Sequence, residues 1–377
     1  MLNRRNFLSF LSLSVMSACS ISDINDTIDT ADDIRHGKIP KNISKKLPKT
    51  GISELDKLFH EKISNIFKKA SEKWGDKKAP KPREYVKYTD KYQTRAIVNF
   101  DTGIIKVQSI KTQKPLETLK KAIINTLLAP DDPHEVDILS DKQIIIGKQP
   151  FLYNLVLDMD QKPIRWGWRA GNYADYLLQN NYQTATVKNK KIYFVTFKMV
   201  KNQQKNQQQK YYNQVIKQSK RFNVDQAIIY AIIETESSFN PYAMSHIPAY
   251  GLMQIVPKTA GVDAYRLLYK KDGIPSKNYL LNADNNIEMG TAYLSILYDR
   301  YLAKIKNKKS QEYCVIAAYN TGAGNVLRSF SKSRNTAFNK INQLNSNQVY
   351  QYLQKNLQHA EARKYLVKVT TKKQKYI

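Results

Sequence analysis

The chain has 377 residues, 42% of them hydrophobic, which is enough for a substantial core and for two domains. Its 61 Lys+Arg against 32 Asp+Glu give a net charge of +29, but the basic residues are spread along the whole length and form no single stripe. A nucleic-acid binder is therefore not expected, and no stretch after the N-terminus is long and apolar enough to span a bilayer.

The front of the chain carries Arg4 and Arg5, then an apolar stretch from Phe7 to Val15 that is too short to cross a membrane. Met16-Ser17-Ala18-Cys19 closes it with small residues before a cysteine. This is the three-part layout of an export signal, and it resembles a lipoprotein signal cleaved just before the cysteine. Residues 1–18 are then the signal. The resemblance implies that Cys19 becomes the mature N-terminus and carries diacylglycerol and an acyl chain, and dual lipidation anchors stably where one chain does not. Ser20 after the cysteine, in place of Asp, points to the outer membrane, with the protein facing the periplasm. Arg4-Arg5-Asn6-Phe7-Leu8 also reads as a twin-arginine signal, so the export route stays open. An ordinary secretory signal with an incidental cysteine is the weaker alternative. The second cysteine, Cys314, has no partner if Cys19 is acylated, and its apolar run from Tyr313 to Tyr319 predicts burial. No disulfide, metal or cofactor is expected, and the five histidines form no ligand cluster.

Residues 19–50 read as a polar tether. From Gly51 the pattern changes. Ile52, Leu55, Leu58, Phe59, Ile63, Ile66, Phe67, Ala70 and Trp74 recur at helical spacing, and Gly75 stops the run. Pro80 and Pro82 mark a loop. Thr94 to Phe100 and Ile104 to Ile110 predict two strands around Asp101-Thr102-Gly103, a hairpin signal. A helix is expected over Pro115 to Leu128, strands over Lys142 to Ile146 and Phe151 to Leu157, a short helix over Ala174 to Leu178 and a strand over Lys191 to Val200. Residues 51–200 therefore predict an α+β domain. The polar, low-complexity segment Lys201 to Lys210 marks the boundary, and its last residues can already belong to a helix. Beyond it, Tyr212 to Phe222, Val224 to Ser237, Asn286 to Leu302, Gln311 to Asn320 and Ala360 to Val369 all predict helices, so residues 201–377 form a mainly α domain.

The candidate chemistry lies where the apolar helix from Val224 runs into Glu236-Ser237 and Pro241 then forbids continuation. Glu236 is expected at the last turn of a buried helix. Burial and the negative end of a helix both raise a carboxyl pKa. A carboxylic acid still protonated near neutral pH is what a general acid needs to protonate a glycosidic oxygen. Glu234, two residues earlier, points to another helix face, about 200° away. It is read as structural.

At these residues the chain resembles a known family. Glu236-Ser237-Ser238-Phe239-Asn240-Pro241, Ser245, Gly251-Leu252-Met253-Gln254 and Ala318-Tyr319-Asn320 match, in order and spacing, the signature of lytic transglycosylases with a goose-lysozyme-like domain. Upstream, Glu84 to Asp90 with Tyr92 to Arg95, Asp131-Asp132-Pro133, Pro163 to Trp166 and Ala174 to Leu178 are similar to the N-terminal domain of a membrane-bound branch of that family. The resemblance covers nearly all of the mature chain. It implies cleavage of the β-1,4 bond between N-acetylmuramic acid and N-acetylglucosamine in peptidoglycan glycan strands. The muramic acid's own 6-hydroxyl, not water, is the nucleophile, so 1,6-anhydro ends remain.

Such chemistry explains a single carboxylate. Retaining and inverting glycosidases use two, with substrate-assisted enzymes as the exception. Glu236 is the expected acid and then base. The matched positions imply the substrate-binding set. Ser237 follows the acid, and Ser245 lies nine residues after Glu236, near the acid and the substrate's N-acetyl group. Gly251 either lets backbone approach the sugar or serves a turn. Met253 and Gln254 line the sugar groove, Tyr319 and Asn320 form its groove pair, and Tyr365 orients Glu236 through its hydroxyl. Taken alone, Met253 and Tyr319 would sooner be packing residues, Ser245 a turn serine and Gln254 a solvated side chain. The chain departs from the family pattern at Tyr250, at Thr321 and at His246-Ile247-Pro248, with His246 an exposed loop histidine. Two rival functions remain at this stage. One is a hydrolase of the same fold, a lysozyme, and the other is a non-catalytic wall-binding lipoprotein. The sequence identifies no protein partner.

Overall fold

The computed structural model describes residues 53–76, 78–245 and 249–377, with side chains from residue 61 onward. The signal, Cys19 and the tether lie outside these residues, and so does His246.

The chain folds as predicted in class, an α+β region followed by an all-helical one. Helix α1 (Ser53–Trp74) ends at Gly75, whose φ of 71° and amide bond to the Ser71 carbonyl close the last turn. Five antiparallel strands follow, β1 (Glu84–Thr89), β2 (Thr94–Asn99), β3 (Ile104–Ser109), β4 (Tyr182–Val187) and β5 (Lys190–Lys198), in the order β1-β2-β3-β5-β4. The β2–β3 hairpin turns at Asp101-Thr102-Gly103, where the Asn99 side chain accepts from the amides of Asp101 and Thr102. Helices α2 (Pro115–Leu127) and α3 (Gly167–Asn180) pack on each other, α2 also against β2 and β3 and α3 against β4 and β5.

Four expectations fail here. β1 was not anticipated. It is buried on both faces, so it shows no alternation. β4 was not anticipated either, because all six of its residues are exposed. Lys142 to Ile146 is irregular, with Ile145 75% and Ile146 52% exposed, and Phe151 to Leu157 is a series of turns. In that segment Phe151, Leu152, Leu155 and Val156 are buried, a spacing that suits turns packed on the core and not a pleated strand. Apart from these four, the polar segment from Lys201 to Lys210 contains helix α4 (Gln203–Lys210), with Gln203 and Gln207 buried.

The rest is helical: α5 (Tyr212–Phe222), α6 (Gln226–Glu236), α7 (Ala260–Tyr269), α8 (Lys277–Leu281), α9 (Ala283–Ile296) continued by a wider turn over Leu297–Tyr301, α10 (Lys308–Thr321), α11 (Ala323–Phe330), α12 (Arg334–Gln343), α13 (Ser346–Asn356) and α14 (Ala360–Lys373). α6 is the central helix. It is capped by the Asp225 side chain, which accepts from the Ala227 amide at 2.9 Å, and it packs against α5 and α14. Ala227 to Thr235 are all buried, as befits a helix apolar all round. Cys314 is likewise fully buried on α10, and burial pushes its thiol pKa up. Among the described residues no helix is long and apolar enough to cross a membrane.

The two regions share one contiguous apolar core. At their junction Tyr85, Phe151 and Tyr242 form an aromatic cluster with ring centroids 5.0–5.4 Å apart, and the Tyr242 hydroxyl donates to the Pro130 carbonyl. Tyr242 follows the C-terminal end of α6 closely in the chain.

Candidate active site

Glu236 is the last residue of α6, and from Ala227 onward it is the only residue of that helix not buried. The chain then reverses sharply. Ser238 and Phe239 hold φ of 49° and 63°, a left-handed pair that costs side-chain-bearing residues energy and that clusters at functional sites. The turn is tied down on all sides. The Ser237 amide and hydroxyl both reach the Ile233 carbonyl at 3.0 Å, and the same hydroxyl lies 2.8 Å from the Leu252 carbonyl. Ser237 is 0% exposed, so its hydroxyl joins the end of α6 to the 250–254 loop and does not face a groove.

That loop is organised by a residue the sequence reading passed over. Asn286, fully buried on α9, accepts from the Met253 amide at 2.7 Å and donates to the carbonyls of Tyr250 and Leu280, both at 2.8 Å. Gly251 has φ 75°, and a Cβ there would collide with Asn286 and the Leu280 carbonyl. Both facts fit a turn and packing role for this glycine. Met253 is 0% exposed, with its sulfur packed on Gly290 of α9. Gln254 holds φ 48° and donates from Nε2 to the Gly251 carbonyl at 2.9 Å, while its Oε1 has no partner. Ser245 is partly exposed, and its amide bonds to the Ala249 carbonyl.

Two tyrosines close the site. Tyr319 of α10 donates to the Met253 carbonyl at 2.9 Å, and Asn320 beside it is exposed. Tyr365 of α14 is buried, and its hydroxyl makes no hydrogen bond of ordinary geometry. It does face Glu236 closely enough to feel it. Burial comes first in pushing the Tyr365 pKa far up, followed by the Glu236 charge and hydrogen bonding to that carboxylate. Tyr319 is raised by burial and then by the Glu236 charge. The structure thus gathers Glu236, Ser237, Gly251, Met253, Gln254, Tyr319 and Tyr365 around one helix end.

Glu234 stands apart, as expected. It is 2% exposed and accepts from Lys375 Nζ at 2.9 Å and Tyr376 Oη at 2.8 Å, with Lys372 Nζ 3.3 Å away. Burial works against its charged form, but these partners hold its pKa below the usual carboxylate value.

The negative end of α6 is not bare. Lys372 Nζ donates to the Glu234 carbonyl at 2.9 Å, and Arg83 donates to the Thr235 carbonyl. Cations at the last carbonyls offset the helix dipole. The dipole at this helix end is therefore countered by two cations. Neither cation was foreseen, since neither is near Glu236 in sequence.

Residues 50–210 match the family model described as membrane-bound lytic murein transglycosylase C, N-terminal domain, and residues 213–342 match the transglycosylase SLT domain. The chain is 48% identical over 321 residues to membrane-bound lytic murein transglycosylase C of Yersinia pestis (strain Pestoides F), covering 84% of this chain and 87% of that protein. The same figures hold for the Yersinia pseudotuberculosis protein of that name (serotype O:1b, strain IP 31758). Among solved structures, the lytic transglycosylase Slt of Pseudomonas aeruginosa is 25% identical with a TM-score of 0.34, covering 44% of this chain and 24% of that one. The chain belongs to the membrane-bound lytic murein transglycosylase C family.

Proposed function

We propose that the protein is a lytic murein transglycosylase. It cleaves the β-1,4 bond between N-acetylmuramic acid and N-acetylglucosamine in peptidoglycan and leaves 1,6-anhydromuramic acid ends, serving cell-wall remodelling and turnover. Family membership supports the reaction class. The observation that carries the site is the position of Glu236, the one residue not buried between Ala227 and the end of α6, with the buried Tyr365 and Tyr319 hydroxyls within reach of its charge.

Glu236 acts first as acid, giving its proton to the glycosidic oxygen, and then as base, taking one from the 6-hydroxyl of the muramic acid as that oxygen attacks the anomeric carbon. The substrate's N-acetyl group stabilises the positive charge in between, so a second free carboxylate is not needed. This fits the two other carboxylates that meet the end of α6, since Glu234 and Asp101 are both engaged with protein donors. Tyr365 orients the Glu236 carboxylate. Ser245, Gln254, Tyr319 and Asn320 contact the sugars, and the unmatched Gln254 Oε1 is an acceptor for a substrate hydroxyl or N–H. Ser237, Gly251 and Met253 serve the substrate indirectly, by fixing the loop. The α+β domain of residues 51–200 and the catalytic domain of residues 201–377 are held at the outer membrane by lipid on Cys19, facing the periplasm. The relatives are themselves named membrane-bound.

The products test the reaction class. The full chain, solubilised in detergent, is incubated with purified sacculi and the released muropeptides are identified by mass. Anhydromuramic ends are expected. Reducing ends, heavier by one water, would mean a lysozyme-type hydrolase instead.

A further inference from the structure

The end of the catalytic helix is not built by the catalytic domain alone. Arg83 precedes β1, and its backbone is rigidly set: Lys81 and Glu84 exchange hydrogen bonds at 2.9 and 3.1 Å, and the Arg83 carbonyl accepts from the Phe100 amide at 3.0 Å. From there the guanidinium crosses to the other domain and donates to the carbonyl of Thr235, the residue before Glu236. Its second arm meets Asp101 Oδ2 at 3.4 Å. Asp101 sits on the β2–β3 hairpin, and its other oxygen accepts from the Ser238 hydroxyl, two residues after Glu236. Asn240 Nδ2 donates to the Pro82 carbonyl at 3.0 Å. Arg83 and Asp101 therefore grip the chain on both sides of Glu236, at residues 235 and 238.

We propose that Arg83, held by Asp101, is a positioning residue for Glu236, through which the N-terminal domain both fixes the catalytic carboxylate and sets the charge around it. This rests on the assignment of Glu236 as acid and base. The thermodynamic logic is local. The last carbonyls of a helix lack intrahelical donors, and Arg83 satisfies one of them with a planar fork that a lysine cannot reproduce. The charge reaches the site as well. The Arg83 cation opposes the upward push that Glu236 exerts on Tyr365. The groups at this end of α6 are then Tyr365 from α14 and Tyr319 from α10, both within reach of the Glu236 charge, Lys372 and Glu234 paired on another face of the helix, and the Arg83–Asp101 pair. The 249–254 segment carries no charged side chain. Lys372 is already committed to Glu234, so Arg83 and Asp101 are the adjustable pair.

The signs follow from the charges. A cation near a carboxyl favours its ionised form, so the acid loses its proton at lower pH. In Arg83→Gln the alkaline limb of the pH–rate profile moves up. In Asp101→Asn, which leaves the Arg83 charge uncompensated, it moves down. Both side chains are partly exposed (29% and 43%), so screening holds the displacement to roughly half a pH unit in each direction. Misplacement of the carboxylate lowers kcat roughly ten- to hundredfold in Arg83→Gln with KM little changed. Arg83→Lys keeps the charge without the fork, so its limb stays at the wild-type position while kcat recovers only in part.

The test measures kcat, KM and the pH profile of the full chain in detergent on solubilised, uncrosslinked glycan strands, for the three variants beside the wild type and Glu236→Gln. Limbs displaced in opposite directions by Arg83→Gln and Asp101→Asn support the proposal. If Arg83→Gln fails to fold, the shift in Asp101→Asn and the unmoved limb of Arg83→Lys still decide it. An unchanged kcat in a folded Arg83→Gln protein, or a limb that Asp101→Asn leaves in place, overturns it. A fully active Glu236→Gln protein would instead overturn the acid/base assignment on which it rests.

Discussion

The Tyr319 hydroxyl donates to the Met253 carbonyl at 2.9 Å and so ties α10 to the loop that Asn286 holds from below. With Tyr319 committed to backbone, Tyr365 is the tyrosine left with a hydroxyl free of any ordinary hydrogen bond beside Glu236. The two rings sit at the same helix end but do different things. One fixes the loop, and the other is available to the carboxylate.

Replacing Tyr365 by Phe removes that hydroxyl and keeps the buried ring. We expect kcat to fall roughly ten- to hundredfold, since a hydrogen bond to a charged group contributes about 1.5–3 kcal/mol. The melting temperature should stay close to wild type, because the hydroxyl makes no ordinary protein bond. Steady-state digestion of glycan strands together with a thermal melt checks both. A variant with full activity would remove Tyr365 from the site.

Gly251→Ala should act on the fold. The residue holds φ 75°, and an added Cβ would collide with Asn286 and the Leu280 carbonyl. A left-handed alanine costs about 1–2 kcal/mol before any clash is counted. We expect a loss on the order of 2 kcal/mol or more, read as a lower urea midpoint, with activity lost along with the loop. A stability within experimental error of wild type would contradict the packing described for Asn286.

Lys87 gives a pH dependence far from the site. It is buried on β1, and Nζ donates to the carbonyls of Asp137 and Ser140 at 2.9 and 2.8 Å. Burial lowers its pKa from 10.5 to about 8, with attraction to Asp137 and Asp141 opposing. The folded pKa lies below the unfolded one, so its contribution to stability rises as pH climbs from about 8 towards 10.5 and is lost as pH falls. Urea unfolding at pH 7.5, 8.5 and 9.5 should show the wild type gaining on Lys87→Met, by at most about 1.4 kcal/mol per pH unit. A difference between the two that does not change with pH would contradict the depressed value.

Local pattern carried much of this architecture. Helix α6 was legible because an uninterrupted apolar run ends at Glu236 and is followed by Pro241, and the β2–β3 hairpin because Asp101-Thr102-Gly103 is a turn signal between alternating strands. β1 and β4 were invisible for opposite reasons, one buried on both faces and the other exposed throughout. Lys142 to Ile146 misled because a short apolar run does not say what it packs against, and here Ile144 is buried while Ile145 and Ile146 are exposed. At the site, the residues within one signature were found together. Of those that approach from elsewhere, Tyr365 was named through the family resemblance, and Arg83, Asp101 and Asn286 were not. Arg83 is 152 residues from Thr235, Asp101 is 137 from Ser238, and Asn286 is 33 from Met253. No periodicity or spacing encodes such contacts, because they exist only once the two domains and the helices have packed.

The central claim is that Glu236 is the single acid and base. The most direct measurement is the digestion of sacculi by the full-length Glu236→Gln protein, followed by counting anhydromuramic ends, with sacculus binding and the thermal melt measured on the same preparation. The amide cannot give and take the proton, so we predict a folded protein that still binds sacculi and releases no anhydromuropeptides above background. Release at a rate near wild type would contradict the account and move the chemistry to another residue.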